Sequence, residues 1–458
     1  MTSAHGQLTS ALSPSQVRTD PDSLHEWGRD WTRTAEPAPA AVVFPETTAD
    51  VVAIVRLANS EGLKLVPSGG RTGLSGGAVA ADGEVVVSFD RMNRVLEFSA
   101  ADRLLSCQAG VVTRTVQDFA RERGLSYPVD FASSGSSQIG GNIATNAGGI
   151  KVIRYGLTRD WIAGLRVVTG AGELLDCNRG LVKNATGYDL RHLFVGSEGT
   201  LGFIVEADVR LAPAPAPQTV MLLGVTEFPR LIDVLSVLQS TVVLSAFEFF
   251  SELALQKVLS HRKLRRPLAE TAPFYALVEF DTADLEPATA AYEAAVGGGW
   301  VCDGVVSQSE GQAAALWSLR EGISESIAQF TPYKNDLSVR VSVLPEFLAQ
   351  VDGLVAQSYP GFEVCWYGHI GDGNLHLNIL KPGGLSLAEF YARCHAISPS
   401  LFELVARHGG SVSAEHGVGL LKRDFIGYSR SAAEIEIMRA LKGVLDPNQI
   451  MNPGKLLS

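Results

Sequence analysis

The chain is poor in the features that mark several large protein classes. Its 458 residues hold five cysteines, Cys107, Cys177, Cys302, Cys365 and Cys394, and no two stand in C-x-x-C spacing. An odd, scattered set fits neither a disulfide framework nor a Cys-type zinc site; it fits buried thiols in a reducing compartment. No run approaches the roughly 18 uninterrupted apolar residues of a spanning helix, so no integral membrane segment is expected. The opening MTSAHGQLTSALSPSQ has no basic start followed by an apolar stretch. No secretory signal is read there, and a cytoplasmic protein is expected. Positive charge is in deficit: 38 Lys plus Arg against 49 Asp plus Glu gives a net charge of −11. Nucleic acid and anionic membrane are therefore poor partners. The one dense basic run, Arg262 to Arg266, reads as a solvated loop or helix end.

What is present is an ordinary globular balance, 46% apolar and 19% charged residues, in a chain long enough for about three domains or two large ones. Residues 1–36 are polar and read as a partly helical segment, closed by the linker Pro37-Ala-Pro-Ala. A strand at 42–45, a helix at 48–61 and a strand at 63–67 then run into Ser68-Gly-Gly-Arg-Thr-Gly-Leu-Ser-Gly-Gly77, five glycines in ten residues. Glycines let backbone N–H groups line a concavity and approach a ligand closely, with phosphate the usual beneficiary. The loop has neither the G-K-[ST] ending of a Walker site nor the G-x-G-x-x-G spacing. A tight structural turn would account for it alone. Further strands are expected at 85–89, 94–98, 104–108, 162–169 and 204–211, with a helix at 113–123.

A second small-residue segment, Ser133 to Gly149, carries Ser134, Gly135, Ser136, Ser137, Gly140, Gly141, Asn142, Thr145 and Asn146. Two such loops suggest a large ligand with a diphosphate and a polar ring edge. A third dense stretch holds NATGYDLRHLFVGSEGTLG. Together with PSGGRTGLSGG, IGGNIATNAGG and the terminal NPGK, in order over residues 37–458, it resembles the vanillyl-alcohol-oxidase/PCMH-type FAD-binding flavoproteins. That resemblance implies an α+β fold: a two-subdomain FAD-binding domain, an inserted α+β substrate (cap) domain, and a C-terminal segment that returns to the FAD side. The expected bounds are 37–217, 218–410 and 411–458, after the N-terminal segment 1–36. It implies FAD held by Ser68, Gly69, Gly70, Arg71, Thr72 and Gly73, and by Ser134, Gly135, Gly140, Gly141, Asn142 and Thr145. Its flavin would lie near Asn146, Gly202–Ile204 and Asn452. The first loop lacks the histidine that tethers FAD in some members, so non-covalent FAD is expected.

After Ala212-Pro-Ala-Pro-Ala-Pro217, a proline-rich hinge, the pattern becomes strand–helix–strand and reads as an α+β sheet domain with helices on one face. Within it lies YGHIGDGNLHLN, residues 367–378. Asp372-Gly373 is a two-residue hairpin signal. Such a turn sets His369 opposite His376, with Cβ atoms roughly 5 Å apart, and Asn378 on the same face. A surface hairpin with incidental histidines is the plainer reading. Only nine histidines occur in the chain, however, and Ser413-Ala-Glu-His-Gly-Val-Gly419 later supplies Glu415 beside His416. Two imidazoles and a carboxylate suit Zn²⁺, Mn²⁺ or Fe²⁺, with zinc ranked first. Arg320 and Ser324 are expected four residues apart on one helix face, and Lys334 follows ten residues on. They offer a bidentate fork, a hydroxyl and a point charge to a carboxylate.

The combination HIGDGNLHLN, SAEHGVG and LWSLREGIS…YKNDLS resembles the D-2-hydroxyglutarate dehydrogenase branch of the FAD-linked D-2-hydroxy-acid dehydrogenases. The resemblance implies metal ligands His369, His376 and Glu415. It implies a carboxylate pocket of Arg320, Ser324, Lys334 and Asn378, with serine where threonine is common, and His416 as substrate contact and catalytic base. It implies FAD- and metal-dependent oxidation of D-2-hydroxyglutarate to 2-oxoglutarate, with D-malate as a shorter substrate and D-lactate or glycolate as the alternative. An electron-transfer flavoprotein or a quinone is the implied acceptor, and a homodimer is an open expectation. A related transferase would carry a denser histidine cluster, and a bare electron carrier would have no need of the ionic pocket.

Overall fold

The computed structural model describes residues 4–32 and 35–457. Residues 1–3, 33 and 34, which fall in the segment read as partly helical, lie outside the described residues. The chain forms two compact units. One comprises residues 1–149, 156–214 and 415–458, and the other comprises residues 150–155 and 215–414.

The first unit is built on a β-α-β crossover. Thr47 and Asp50 form a capping box at the start of the helix Thr48–Glu61, and Gly62 ends it in the left-handed conformation. Val51, Ile54, Val55 and Ala58 are its buried stripe. The flanking strands Ala41–Val43 and Leu65–Ser68 each pair parallel with Val85–Ser88. All four residues of Val85–Ser88 are buried, as a parallel strand covered on both faces requires. The strand Val17–Arg18 adds antiparallel at one edge. Its two residues are too few to read from the sequence, and pairing with Val42 and Val43 defines them. At the other edge the C-terminal segment joins: Leu65 N–H donates to Ile450 O at 2.8 Å and Asn452 N–H to Leu65 O at 2.8 Å. A second sheet of the same unit is wholly antiparallel, in the order Val95–Ser99, Leu104–Gln108, Gly202–Arg210, Ile162–Thr169, Leu174–Cys177. The helix at 48–61 and the strands at 104–108 and 162–169 fall at their expected bounds. The strand expected at 204–211 begins two residues earlier, at Gly202.

The second unit is one seven-stranded antiparallel sheet. Its order is Val301–Val306, Gln218–Val225, Phe274–Asp281, Leu244–Ser251, Val364–Gly368, Asn374–Ile379, Tyr333–Ser338. The expectation of helices on one face is corrected here. Helices Glu252–Arg262, Glu310–Glu321 and Ile323–Ala328 pack on one face through Phe250, Tyr275, Leu277, Cys365 and Tyr367. Helices Leu344–Ser358 and Leu387–Arg407 pack on the opposite face over Asn335, Leu377 and Ile379. The strands are buried on both sides, so their near-continuous apolar runs cannot signal a single covered face. The short segment Ile150–Tyr155 belongs to this unit through two ion pairs, Lys151–Glu279 at 2.9 Å and Arg154–Asp281 at 2.6 Å.

Among the described residues no helix is long and apolar enough to cross a membrane. All five cysteines are unpaired, and only Cys302 is exposed.

Gly373 has φ +87°, and a Cβ there would lie 2.0 Å from the Val339 carbonyl oxygen. Gly373→Ala is expected to destabilise the protein by about 3 kcal/mol, from left-handed strain plus a backbone clash. Urea unfolding followed by tryptophan fluorescence checks this; an unchanged midpoint would contradict the close approach.

Candidate active site

In the first unit the glycine loops wall a deep cleft. Gly69, Gly70, Arg71, Thr72 and Gly73 line it from the first loop, and Gly140, Gly141, Asn142 and Thr145 from the second. Gly202 and Ile204 close a third side. A Cβ on Gly70 would lie 2.1 Å from the Ser136 carbonyl oxygen, so the two loops touch only because it is glycine. A Cβ on Gly141 would point into open space, the side from which a ligand can reach the backbone. Asp90 joins the loops. It accepts from Gln138 Nε2 at 2.7 Å, Trp27 Nε1 at 2.7 Å and Arg71 Nη1 at 3.3 Å. Arg71 thus sets a guanidinium in the wall, as a diphosphate site needs.

Five residues expected at the cofactor do not line this cleft: Ser68, Ser134, Gly135, Asn146 and Asn452. Ser134 accepts from Arg114, and Asn146 accepts from the Arg159 N–H. Asn452 is fully buried and spends its amide on the carbonyls of Gly77 and Glu198, at 2.9 and 2.7 Å. Gln138, Ser75 and Glu198 line the cleft and were missed. Gln138 stands directly before the IGGN motif, and Glu198 within GSEG, so their neighbourhood was a signal. The cleft fits a nucleotide cofactor. Besides its glycine walls and its cation, the buried Gln138 Oε1 has no hydrogen-bond partner among the described residues.

Glu415 and His416 belong to the first unit. Their side chains are partly buried, and His416 Nε2 stands 3.7 Å from Glu415 Oε1.

The second unit carries the other candidates on one sheet face. Across the strands, Lys334 pairs with Asn378, Asp336 with His376, Tyr367 with His376, and Phe250 with Tyr367. Residues in register share a face and alternate along each strand. Lys334, Asp336, His376, Asn378 and Tyr367 therefore project to the same side, and so does Glu248, two residues before Phe250. The expected two-residue turn is corrected. Val364–Gly368 and Asn374–Ile379 do form a hairpin, but its loop runs from His369 to Gly373 with a 3₁₀ turn at Ile370–Asp372. The partner of His376 is Tyr367, not His369. The imidazoles still meet, with ring centroids 5.4 Å apart. Asp372 is only partly exposed there and is not a freely solvated turn residue. Desolvation pushes its carboxyl up to about 6, against the pull of His369.

Arg320 and Ser324 do not share one helix. The chain breaks at Gly322 between Glu310–Glu321 and Ile323–Ala328. Glycine's weak helix propensity at that position outweighed the apolar spacing. Ser324 nonetheless accepts from Lys334 Nζ at 3.2 Å. Burial holds the Lys334 ammonium below the usual lysine range.

Sequence reasoning missed Glu248, which lies in the apolar run LSAFEFFS. Its side chain is wholly buried. One carboxylate oxygen is 2.7 Å from His369 Nδ1, and the other is ion-paired with Arg320 Nε at 2.8 Å. A carboxylate on Nδ1 puts the proton there and makes Nε2 the lone-pair nitrogen, the tautomer a metal ligand needs. Asp336, also wholly buried, lies 3.6 Å from His376 Nδ1 and accepts from Asn374 Nδ2 at 2.9 Å. A lone acid inside an apolar strand is the signal that could have found Glu248, since a buried charge needs partners. The Ala414 N–H donates to the Asp336 carbonyl at 3.3 Å, and Glu415 is the next residue of the chain.

Family models match the chain twice: the FAD-linked oxidase C-terminal domain over residues 214–456 and an FAD-binding domain over residues 39–178. The chain is 57% identical to the D-2-hydroxyglutarate dehydrogenase of Stutzerimonas stutzeri strain A1501, over 99% of this chain and 98% of that one. It is 38% identical to the mitochondrial D-2-hydroxyglutarate dehydrogenase of Bos taurus, over 97% and 81%. Among solved structures it resembles p-cresol methylhydroxylase with substrate bound (TM-score 0.76, 14% identity, 99% and 96% covered). It also resembles an alkyldihydroxyacetonephosphate synthase (TM-score 0.73, 18% identity, 98% and 85% covered). These neighbours establish the PCMH-type α+β fold.

Glu248→Ala would leave the buried Arg320 without its counter-charge. A loss of about 3–5 kcal/mol is expected, read from the urea midpoint of purified protein. A loss below about 1 kcal/mol would show that water or another acid takes over the guanidinium.

Proposed function

We propose, for a chain that belongs to the FAD-linked oxidase family and within it to the D-2-hydroxyglutarate dehydrogenases, that it oxidises D-2-hydroxyglutarate to 2-oxoglutarate. The observation that carries this reading is the ionic face of the second unit. There Arg320, Lys334 and Ser324 accompany two imidazoles whose rings meet. Lys334, Ser324, Asn378 and Arg320 hold the distal carboxylate. Because Glu248 already neutralises one edge of the guanidinium, Lys334 is the cation left to discriminate. A monocarboxylate such as lactate leaves it unmatched in a half-buried position, at a cost of about 1–3 kcal/mol. D-malate, one carbon shorter, is the nearest alternative substrate, and D-lactate or glycolate the more distant one.

The first unit is the FAD-binding part and residues 215–414 the substrate part. Gly69–Gly73 and Gly140–Asn142 hold the FAD diphosphate, without a covalent tether, and Gly202–Ile204 hold the ring. FAD, when bound, supplies the acceptor for the hydride leaving the substrate Cα, which no side chain can take. His369, His376 and Glu415 hold a divalent metal, zinc first. That ion supplies the Lewis acidity that lowers the pKa of the substrate hydroxyl. Glu248 keeps His369 in the ligating tautomer. His416 binds the substrate hydroxyl and accepts its proton at the imidazole. An electron-transfer flavoprotein or a quinone takes the electrons onward.

Anaerobic mixing with D-2-hydroxyglutarate tests the substrate. Rapid bleaching of the flavin band is expected, with the L-isomer and D-lactate slower by at least about tenfold. Faster bleaching by D-lactate would transfer the assignment to the monocarboxylate enzymes. Chelation followed by metal analysis tests the metal. Activity and one equivalent of ion should leave together and return on adding zinc; full activity in metal-free protein would reject the site.

A further inference from the structure

We infer that Glu198 is a positioning residue that sets His416 against the flavin cleft. The inference rests on the reading of His416 as the base. Glu198 lines the cleft, and its carboxylate is held by the loop that follows His416. One carboxylate oxygen accepts the Val418 N–H and the other the Gly419 N–H, both at 2.7 Å. Two successive amides converging on one anion form a nest, and Gly417 (φ +80°) and Gly419 (φ +50°) supply the left-handed turns it needs. The anion in this nest is the protein's own. Charge-assisted bonds of this length are the strong class, and they grip the chain two and three residues after His416.

The other end of the clip is equally fixed. Glu198 itself has φ +51°, rare for a residue with a side chain. Its N–H donates to the Ala144 carbonyl at 2.8 Å, and its own carbonyl accepts from Asn452 Nδ2 at 2.7 Å. Gly199, next in the chain, sits so close to Pro67 that a Cβ would approach it to 2.5 Å. A second cleft residue, Ser75, takes the N–H groups of Leu420 and Leu421 on its carbonyl, at 3.0 and 3.1 Å. The loop that carries His416 thus hangs from two residues of the flavin wall, one of them by an ionisable side chain. Burial raises the Glu198 carboxyl, and the two N–H donors and Lys422 pull it back. A buried carboxylate held by two backbone amides is an expensive way to shape a loop, and it is accounted for if the position of the histidine depends on it.

The test is anaerobic flavin reduction by D-2-hydroxyglutarate in holoenzyme carrying Glu198→Ala, Glu198→Gln, His416→Ala and the double change. Glu198→Ala is expected to lower the reduction rate constant by about tenfold to a hundredfold, as a misplacement near 1 Å does, with FAD content and substrate KM near wild type. Glu198→Gln keeps one acceptor and should recover part of the loss, and it decides the matter should the alanine variant not fold. In the His416→Ala background the Glu198 change should add nothing, because the group it positions is gone. A wild-type rate in both Glu198 variants, or losses that multiply with His416→Ala, would overturn the inference alone. A wild-type rate in His416→Ala would overturn the base assignment, and with it this inference.

Discussion

A carboxylate sealed inside a sheet constrains the second unit more than any other single group. Glu248 has no exposed surface and so no water to share its charge. Burying such an ion costs several kcal/mol unless opposite charge and hydrogen bonds meet it. Arg320 and His369 meet it, one from a helix and one from a hairpin loop. Those two elements are therefore held to the same spot on the sheet. The guanidinium also lies 4.8 Å over the Tyr367 ring, whose strand neighbour is His376. One buried charge thus fixes the positions of a guanidinium, a histidine tautomer and an aromatic wall.

The first unit solves a different problem, largely with its backbone. A dinucleotide needs close approach and many N–H donors, which side chains obstruct. Gly70 lets one loop touch the other, Gly141 leaves its ligand side open, and Asp90 ties both loops to Arg71. Charge enters the wall sparingly and always anchored. Glu198 follows the same rule in reverse, with an anion held by amides from the loop of His416.

Much of this is legible in the sequence. The helix at Thr48–Glu61 is written in its capping box and terminal glycine, which are local signals that packing does not override. The glycine segments announced the cleft because only a ligand or a backbone contact justifies so many glycines in so few residues. The hairpin was legible as a hairpin and misread as a turn. Asp372-Gly373 is a two-residue signal in water, and here the aspartate is partly desolvated. The shift moved the partner of His376 from His369 to Tyr367, yet the imidazoles met because the loop curls back over the strand. The covering of both sheet faces was not legible, since an apolar strand reads the same in either case.

The sequence by itself determined which residues can do chemistry: nine histidines, few enough for each to count, the acids and cations near them, and glycines where a cofactor must approach. Spacing along the chain also determined the elements that carry them. Only the tertiary structure decided which charges neutralise one another. Glu248 stands 72 residues before Arg320 and 121 before His369 by their numbers, and no local pattern connects them. Glu198 and Gly419 are 221 residues apart, yet the Gly419 N–H donates to the Glu198 carboxylate at 2.7 Å. The physical reason is that local propensity acts over a few residues, whereas the cost of a buried charge is settled by whatever the fold brings within about 3 Å.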